Sequence, residues 1–188
     1  MITHKGTQTL TTPRLILRKF TPADAPAMYA NWASDPEVPL YVAWDPHPSP
    51  EFTAELLESW CASYENDNNY NWVMELDGTP IGSINVVTAN SKHEYAELGY
   101  CMGRPWWGQG LMTEAARAVV DYLFGEVGFH RIIISHAAKN PASGRVAQKC
   151  GFTYEGTRRE HFKKPSTGEF HDVVDYALLK SEWEALQK

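Results

Sequence analysis

The chain has 188 residues, 43% of them hydrophobic and 21% charged, a balance that excludes fibrous and disordered classes and suits one globular domain. Its 17 Lys and Arg against 23 Asp and Glu leave a formal charge of −6, without the basic excess that neutralising a nucleic-acid duplex requires. The three cysteines, Cys61, Cys101 and Cys150, are odd in number and far apart, the pattern of free thiols in a reducing compartment. The start M-I-T-H-K-G-T-Q-T-L has no apolar run of a signal peptide, and no segment approaches the roughly 20 apolar residues of a membrane span. A cytoplasmic protein without membrane or nucleic-acid partners is the expectation.

Arg14 to Phe20 reads as a first strand. Thr21-Pro22, a polar cap with proline in the first turn, opens a helix to about Ala33. Asp35 to Pro50 holds five prolines and is a loop. Ser49-Pro50 starts a second helix, Glu51 to about Glu65, with Phe52, Leu56, Leu57 and Trp60 at helical spacing. Tyr70–Leu76 and Ile81–Val87, joined by D-G-T-P, and then His93–Met102 predict an antiparallel meander. Leu111–Phe124 is apolar almost all round, with a polar stripe at Glu114, Arg117 and Asp121, and predicts a mostly buried helix. Arg131–Ser135 is a β-branched run that predicts a strand buried on both faces. Pro141–Cys150 reads as a short helix stopped by Gly151, and Phe152–Phe162 with Phe170–Leu179 as a last strand pair. The order β-α-α-β-β-β-α-β-α-β-β implies a mixed α/β (α+β) fold of about seven strands with helices on both faces, in one domain over residues 1–188.

Glu97 to Ala116, E-L-G-Y-C-M-G-R-P-W-W-G-Q-G-L-M-T-E-A-A, carries the most chemistry. A strand ends near Met102, and a glycine-containing loop opens directly into a helix. Amides at a helix start have no internal partners and sit at the positive end of the dipole, so the arrangement suits a phosphate. A P-loop would need Lys followed by Ser or Thr, where this chain has Leu111-Met112; a dinucleotide fingerprint would need glycine at Thr113. On the residues alone, a phosphate cradle and a turn that merely lets two elements pack both remain open. Asn140-Pro141-Ala142-Ser143 opens the next helix, with Asn140 as cap and Ser143 in the first turn.

Together, E-L-G-Y, R-P-W-W-G-Q-G-L-M-T-E-A and N-P-A-S…K-C-G-F resemble the GNAT N-acetyltransferases. More narrowly they are similar to the branch of bacterial ribosomal-protein alanine and serine N-terminal acetyltransferases. The opening T-P-R-L-I-L-R-K-F-T-P-A-D-A and the closing E-F-H-D-V-V-D-Y-A-L-L-K-S-E-W fit that branch, so the likeness runs from about Leu10 to Trp183. It implies acetyl-CoA as cosubstrate, held in a cleft where the strand ending at Met102 splays from Arg131–Ser135. It also implies pyrophosphate contacts from the amides of Gly108, Gln109, Gly110, Leu111 and Met112 with Thr113 alongside, and main-chain contacts to the pantetheine arm from Tyr100, Cys101 and Met102. Asn140 would meet the arm from the other side, and Arg104 would meet a phosphate. Glu97 would act as base, directly or through water, and Ser143 as general acid. Trp107 stands where the wider family has Gln or Arg, and Met112 where it has a small residue, which raises the question of whether Met112 narrows the cleft.

The acceptor implied is a primary amine, foremost the α-amine of a protein or peptide. A polyamine, amino acid or antibiotic acceptor, a non-catalytic acyl-CoA-binding module and, more remotely, a nucleotide-dependent oxidoreductase are the other readings. Asp35–Pro50, the second helix and Lys163–Glu169 are expected to select the amine, with Trp32, Tyr41, Trp44, Asp35, Glu37 and Asp45 as candidate lining. Tyr154 reads as a core tyrosine or a second acid, His93 as a relay near Glu97, and Arg158, Arg159, Lys163 and Lys164 as a solvated basic run. His130 and His136 flank one strand about 20 Å apart, too far to share a metal, and no metal is expected. The chain is expected as monomer or homodimer.

Overall fold

Alternating side chains put the main core on one face of a sheet, where Leu15 and Leu17, Trp72 and Met74, Ala96 and Leu98, Ile132 and Ile134, and Tyr176 and Leu178 join one buried cluster. The computed structural model of the chain describes residues 2–187. Its strands are β1 (Leu10–Thr11), β2 (Leu15–Arg18), β3 (Asn71–Leu76), β4 (Thr79–Asn90), β5 (Tyr95–Met102), β6 (Arg131–Ala137), β7 (Thr153–Lys163) and β8 (Phe170–Leu179). They form one eight-stranded sheet in the order β1-β2-β3-β4-β5-β6-β8-β7, antiparallel except between β5 and β6. The two-residue β1 is the strand beyond the seven expected; it is too short to carry a period.

Helices cover both faces. On the main-core face lie α3 (Leu111–Tyr122), extended by a π-helical turn at Leu123–Val127, and α4 (Pro141–Lys149). The other face carries α1 (Ala25–Met28), between a 3-10 turn at Pro22–Asp24 and a π-helical turn at Tyr29–Ala33, and α2 (Pro50–Ser63). Phe20, Met28, Trp32, Leu57 and Val73 form a second cluster there. A last helix, α5 (Lys180–Leu186), follows β8 and was not legible as a separate element. Prolines in the first turns and polar caps set the starts: the Phe52 amide donates to Ser49 Oγ at 3.3 Å and the Ser143 amide to Asn140 Oδ1 at 3.4 Å.

One expectation needs correction. β6 is not buried on both faces: Ile132 and Ile134 are buried, while Arg131, Ile133 and Ser135 are only half-buried, because no helix covers the second face of β6 and its neighbours. In α2, Thr53 and Leu57 are buried and Phe52 is 45% exposed.

Arg18 ties the first helical segment to the sheet. Its guanidinium donates to both Asp24 carboxylate oxygens at 2.8 Å and to Glu75 at 2.7 Å. Burial pushes the Asp24 carboxyl up, but the bonds from Arg18 and Thr21 outweigh it and hold the group below its usual range.

The main irregularity of the sheet lies at its centre. β5 and β6 pair only from Tyr95↔Arg131 to Leu98↔Ile134. Beyond that point β5 continues beside β4 to Met102, and β6 continues beside β8 to Ala137. Gly103 then turns the chain out of β5 against the first helical segment, where an added Cβ would collide with the Asn31 carbonyl oxygen and stand 2.7 Å from the Trp106 ring. Gly103→Ala is therefore expected to destabilise the fold by about 1–3 kcal/mol, as overpacking does, lowering the urea midpoint at constant m-value. An unchanged midpoint would show that the backbone there yields freely.

Candidate active site

The splay exposes main chain. The Gly103 amide donates to the Ile81 carbonyl at 2.9 Å. In an antiparallel ladder hydrogen-bonded pairs alternate, so Cys101 and Gly99 also face β4, opposite Ser83 and Asn85. The main-chain groups of Tyr100 and Met102 then face the gap that β6 leaves. The Met102 carbonyl is engaged by the Trp107 indole N–H at 2.6 Å, which folds the following loop back onto the strand end. Tyr100 thus offers both its N–H and C=O to the gap, and Met102 its N–H. The expectation of main-chain contacts narrows accordingly: Cys101 lines the cavity, but its main chain belongs to the β4 ladder.

The loop after β5 forms a concavity of amides. Gly108 and Gly110 adopt φ of +76° and +78°, a region that favours glycine, and a Cβ at Gly108 would meet nothing within 4 Å. Glu114 N–H donates to the Gly110 carbonyl at 3.0 Å, which leaves the amides of Leu111, Met112 and Thr113 without intrahelical acceptors. Leu111 contributes only that amide, since its side chain is buried in the core. Gln109 folds its side-chain amide onto the Pro105 carbonyl at 2.9 Å.

A cavity of about 550 Å³ joins these parts. Its wall includes Leu98–Met102, Trp107, Gly108, Gly110, Met112 and Thr113, then Asn140, Ser143, Arg145 and Lys149 from α4, and finally Glu37, Val38, Leu40, Tyr41 and Val42 from the loop after the first helical segment. The cavity therefore runs past the end of β5 from the face of α3 and α4 to the loop on the other side. Its volume suits a small-molecule site, and a strand edge, an amide concavity and two cationic side chains in series fit a long ligand with amide and phosphate groups. Met112 answers the doubt about width: its side chain is 7% exposed and packs into the core, so it lines the floor of the cavity.

Across the gap, the Tyr100 phenol lies 2.9 Å from Ser143 Oγ and donates to the Ser143 carbonyl at 3.2 Å. Burial pushes the Tyr100 hydroxyl far above its ordinary value, so it stays protonated and acts as a hydrogen-bond partner. The phenol is thus within hydrogen-bond distance of both Ser143 oxygens, which fixes where Ser143 Oγ sits.

A profile of the acetyltransferase (GNAT) domain matches residues 14–153. The chain belongs to the GNAT acetyltransferases. A Bacillus subtilis relative, YdaF, provisionally named a ribosomal N-acetyltransferase, is 30% identical over 145 residues, 77% of this chain and 78% of its own. The [ribosomal protein uS5]-alanine N-acetyltransferase of Escherichia coli is 34% identical over 86 residues, 46% of this chain and 43% of its own. In fold, the chain is similar to RimL, a ribosomal L7/L12 alpha-N-protein acetyltransferase solved in complex with coenzyme A, with a TM-score of 0.83, 20% identity, and 92% and 98% of the two chains covered.

Set in a GNAT enzyme, the remaining expected residues fall into two groups. Ser143, Asn140, Thr113 and the loop amides meet at the cavity. Arg104 does not line it: its Nε donates to Asp35 Oδ2 at 2.6 Å. Burial raises the Asp35 carboxyl, but the Arg104 bond, the Glu37 amide and the Arg104 charge together hold it below its usual range. Glu97 lies on the sheet face opposite Tyr100, half-buried, with Arg158 within electrostatic reach. A bulge does occur beside it, but on β4 between Val86 and Thr88, so β5 keeps its alternation and Glu97 is not turned over. Tyr154 is 56% exposed on β7, with its hydroxyl 3.1 Å from Thr157 Oγ1, so it is neither a core tyrosine nor a cavity residue. His93 is exposed and outside the cavity wall.

Lys164 corrects the solvated basic run. It is 6% exposed, donates to the Trp44 carbonyl at 2.6 Å and pairs with Asp45 at 2.7 Å, so the β7–β8 hairpin pins the cavity loop. Sequence reasoning also missed the Tyr100 phenol and the pair Arg145 and Lys149, four residues apart on α4, a spacing that puts both on one helix face. Among the described residues no group of three or more His, Cys, Asp or Glu side chains gathers as a metal site, and no helix is long and apolar enough to cross a membrane.

Burial raises Cys101, against bonds from Ser83, and pushes Cys150 up to about 11, against Arg117. Cys101 lines the cavity, whereas Cys150 is buried. Iodoacetamide at pH 7.5 is expected to leave Cys150 unmodified in the folded protein and to label it rapidly in urea; rapid labelling of Cys150 in the folded protein would contradict its burial.

Proposed function

We propose that this GNAT enzyme transfers acetyl from acetyl-CoA to the N-terminal α-amine of a protein or peptide, with a ribosomal-protein N-terminus as the acceptor class. The observation that carries the reading is a cavity that passes the end of β5, with Ser143 on one sheet face and Glu97 on the other. Acetyl-CoA supplies an activated thioester when bound. The amides at Gly108–Thr113 would hold its phosphates, Arg145 and Lys149 would add charge nearby, and the main chain of Tyr100 and Met102 would bond its amide-bearing arm. Names of relatives support the acceptor class: YdaF and the uS5-alanine enzyme are both named for ribosomal acceptors.

The chemistry needs a neutral amine, a donor near the developing oxyanion and a proton for the departing thiolate. Ser143 Oγ–H, oriented by Tyr100, is the proton donor in this reading. Glu97 removes a proton from the incoming ammonium on the opposite face, through water, since it does not itself line the cavity. Glu37, exposed on the rim while its neighbour Asp35 is engaged by Arg104, attracts the cationic acceptor.

A thiol-release assay with acetyl-CoA and a panel of N-terminal peptides, polyamines and amino acids tests the acceptor; a peptide kcat/KM no higher than that of the small amines would overturn the peptide assignment. Ser143→Ala is expected to lower kcat about 10²-fold with coenzyme A affinity by calorimetry within twofold of wild type, because proton donation matters only as the thiolate leaves. Wild-type turnover would reduce Ser143 to a helix-start residue. Glu97→Gln should lose most activity at low pH and recover as the pH rises past about 8, where solvent supplies neutral α-amine. A pH–rate profile parallel to wild type would remove Glu97 from the mechanism.

A further inference from the structure

We infer that Arg14 is a positioning residue for the pyrophosphate loop, aiming the Gly110 amide into the cavity from a hairpin that never touches the ligand; this rests on the acetyl-CoA reading above. Thr12, Pro13 and Arg14 form the tip between β1 and β2, and the tip sits on the first turn of α3. Glu114 in that turn accepts from Thr12 Oγ1 at 2.6 Å and from the Arg14 amide at 2.9 Å through one oxygen. Its other oxygen takes the Arg14 guanidinium in a fork, Nε at 2.7 Å and Nη2 at 2.6 Å. The fork leaves Arg14 Nη1 free to donate to the Gln109 carbonyl at 3.0 Å.

That last bond decides an orientation. A peptide unit is planar and trans, so its C=O and N–H point opposite ways. With the Gln109 carbonyl held outward by Arg14, the Gly110 N–H of the same unit points away from Arg14, toward the cavity that Gly110 lines. A Cβ on Gly110 would stand 3.7 Å from Arg14 Nη2, so the guanidinium lies directly behind the loop. The Gln109–Gly110 unit turns about Gly110 φ, here +78°, and glycine populates positive and negative φ about equally, so the unit needs an outside contact to fix it. Glu114 fixes the fork and the fork fixes the peptide. Lysine carries its three donors on one nitrogen and lacks the three spread nitrogens with which Arg14 meets both Glu114 and the Gln109 carbonyl.

The test compares a donor that has the pyrophosphate with one that lacks it. Coenzyme A binding is measured by calorimetry, and kcat/KM is measured with acetyl-CoA and with acetyl-pantetheine, for wild type, Arg14→Ala, Arg14→Lys and Glu114→Gln. For Arg14→Ala, coenzyme A affinity is expected to fall about tenfold, the worth of one charge-assisted amide contact, and the preference for acetyl-CoA over acetyl-pantetheine to shrink by a similar factor. Arg14→Lys and Glu114→Gln should fall between. Equal losses with both donors in all three variants would mean general loosening of the fold and would overturn the proposal, as would unchanged coenzyme A affinity. Wild type that prefers acetyl-CoA over acetyl-pantetheine by less than twofold would instead overturn the phosphate reading of the loop, and the role of Arg14 with it. Should Arg14→Ala fail to fold, Glu114→Gln, which keeps the helix and removes the charge, reads the same two ratios.

Discussion

Four residue pairs hold β5 to β6, and the chemistry available to the chain depends on their stopping at Leu98 and Ile134. Had the pairing run on, Tyr100 and Met102 would have satisfied their main-chain groups within the sheet. Because it stops, a buried strand edge is left open in the middle of a sheet whose other strands are paired on both sides up to the margins. An unpartnered buried amide or carbonyl costs on the order of 1–3 kcal/mol, so the gap favours whatever brings donors and acceptors in strand-like order, water or an amide-bearing arm. The cost is tolerable because each flanking strand is anchored elsewhere, β5 by the long ladder with β4 and β6 by seven register pairs with β8.

In the proposed reading, the same division separates the two substrates. On the donor side, the contacts inferred for acetyl-CoA come mostly from main chain: the β5 edge and the amides around Gly108 and Gly110. Main-chain recognition depends on backbone path more than on side-chain identity, which explains why Trp107 and Met112 can depart from the wider family pattern. Trp107 even reinforces the path, through its bond to the Met102 carbonyl. On the acceptor side, the wall is made of loop side chains, Glu37, Val38, Leu40 and Tyr41. Lys164 holds that loop against the β7–β8 hairpin through buried contacts to Trp44 and Asp45. In this reading, donor recognition rests on geometry and acceptor recognition on composition.

How much of this is legible in sequence follows from the range of the forces involved. Caps, prolines and apolar periods act over a few residues, so the helix starts at Pro50, Leu111 and Pro141 and the strand Phe170–Leu179 were read correctly from local pattern. The glycine loop was recognisable for the same reason, since positive φ at Gly108 and Gly110 is a local property. The contacts that finish the site have no local signature. Arg14 meets Glu114 across 100 residues, Tyr100 meets Ser143 across 43, and Lys164 meets Trp44 across 120. Arg104 illustrates the converse: its place before the glycines suggested a phosphate, but the turn of Gly103 against the first helical segment brings Asp35 within 2.6 Å and engages the guanidinium first.

Glu97 and Tyr100 stand three apart on one strand, and an ideal strand points them to opposite faces. The strand does just that, and the β4 bulge leaves it so. The sheet, however, is open at that point. In a closed sheet, residues on opposite faces belong to different sites; in a splayed one, the gap lets one cavity reach side chains of both faces, Tyr100 and Cys101 among them, with Glu97 outside its wall. A transfer reaction benefits from that arrangement. In the proposed reading, the donor and its acid, Ser143, lie on one side, and the acceptor and its base, Glu97, on the other. A general acid and a general base at close quarters would neutralise each other by direct proton exchange, whereas separation by the thickness of a strand, with the reacting carbon between, lets each meet only its own proton. In that reading, the opposite-face placement of Glu97 suits a base that acts through water.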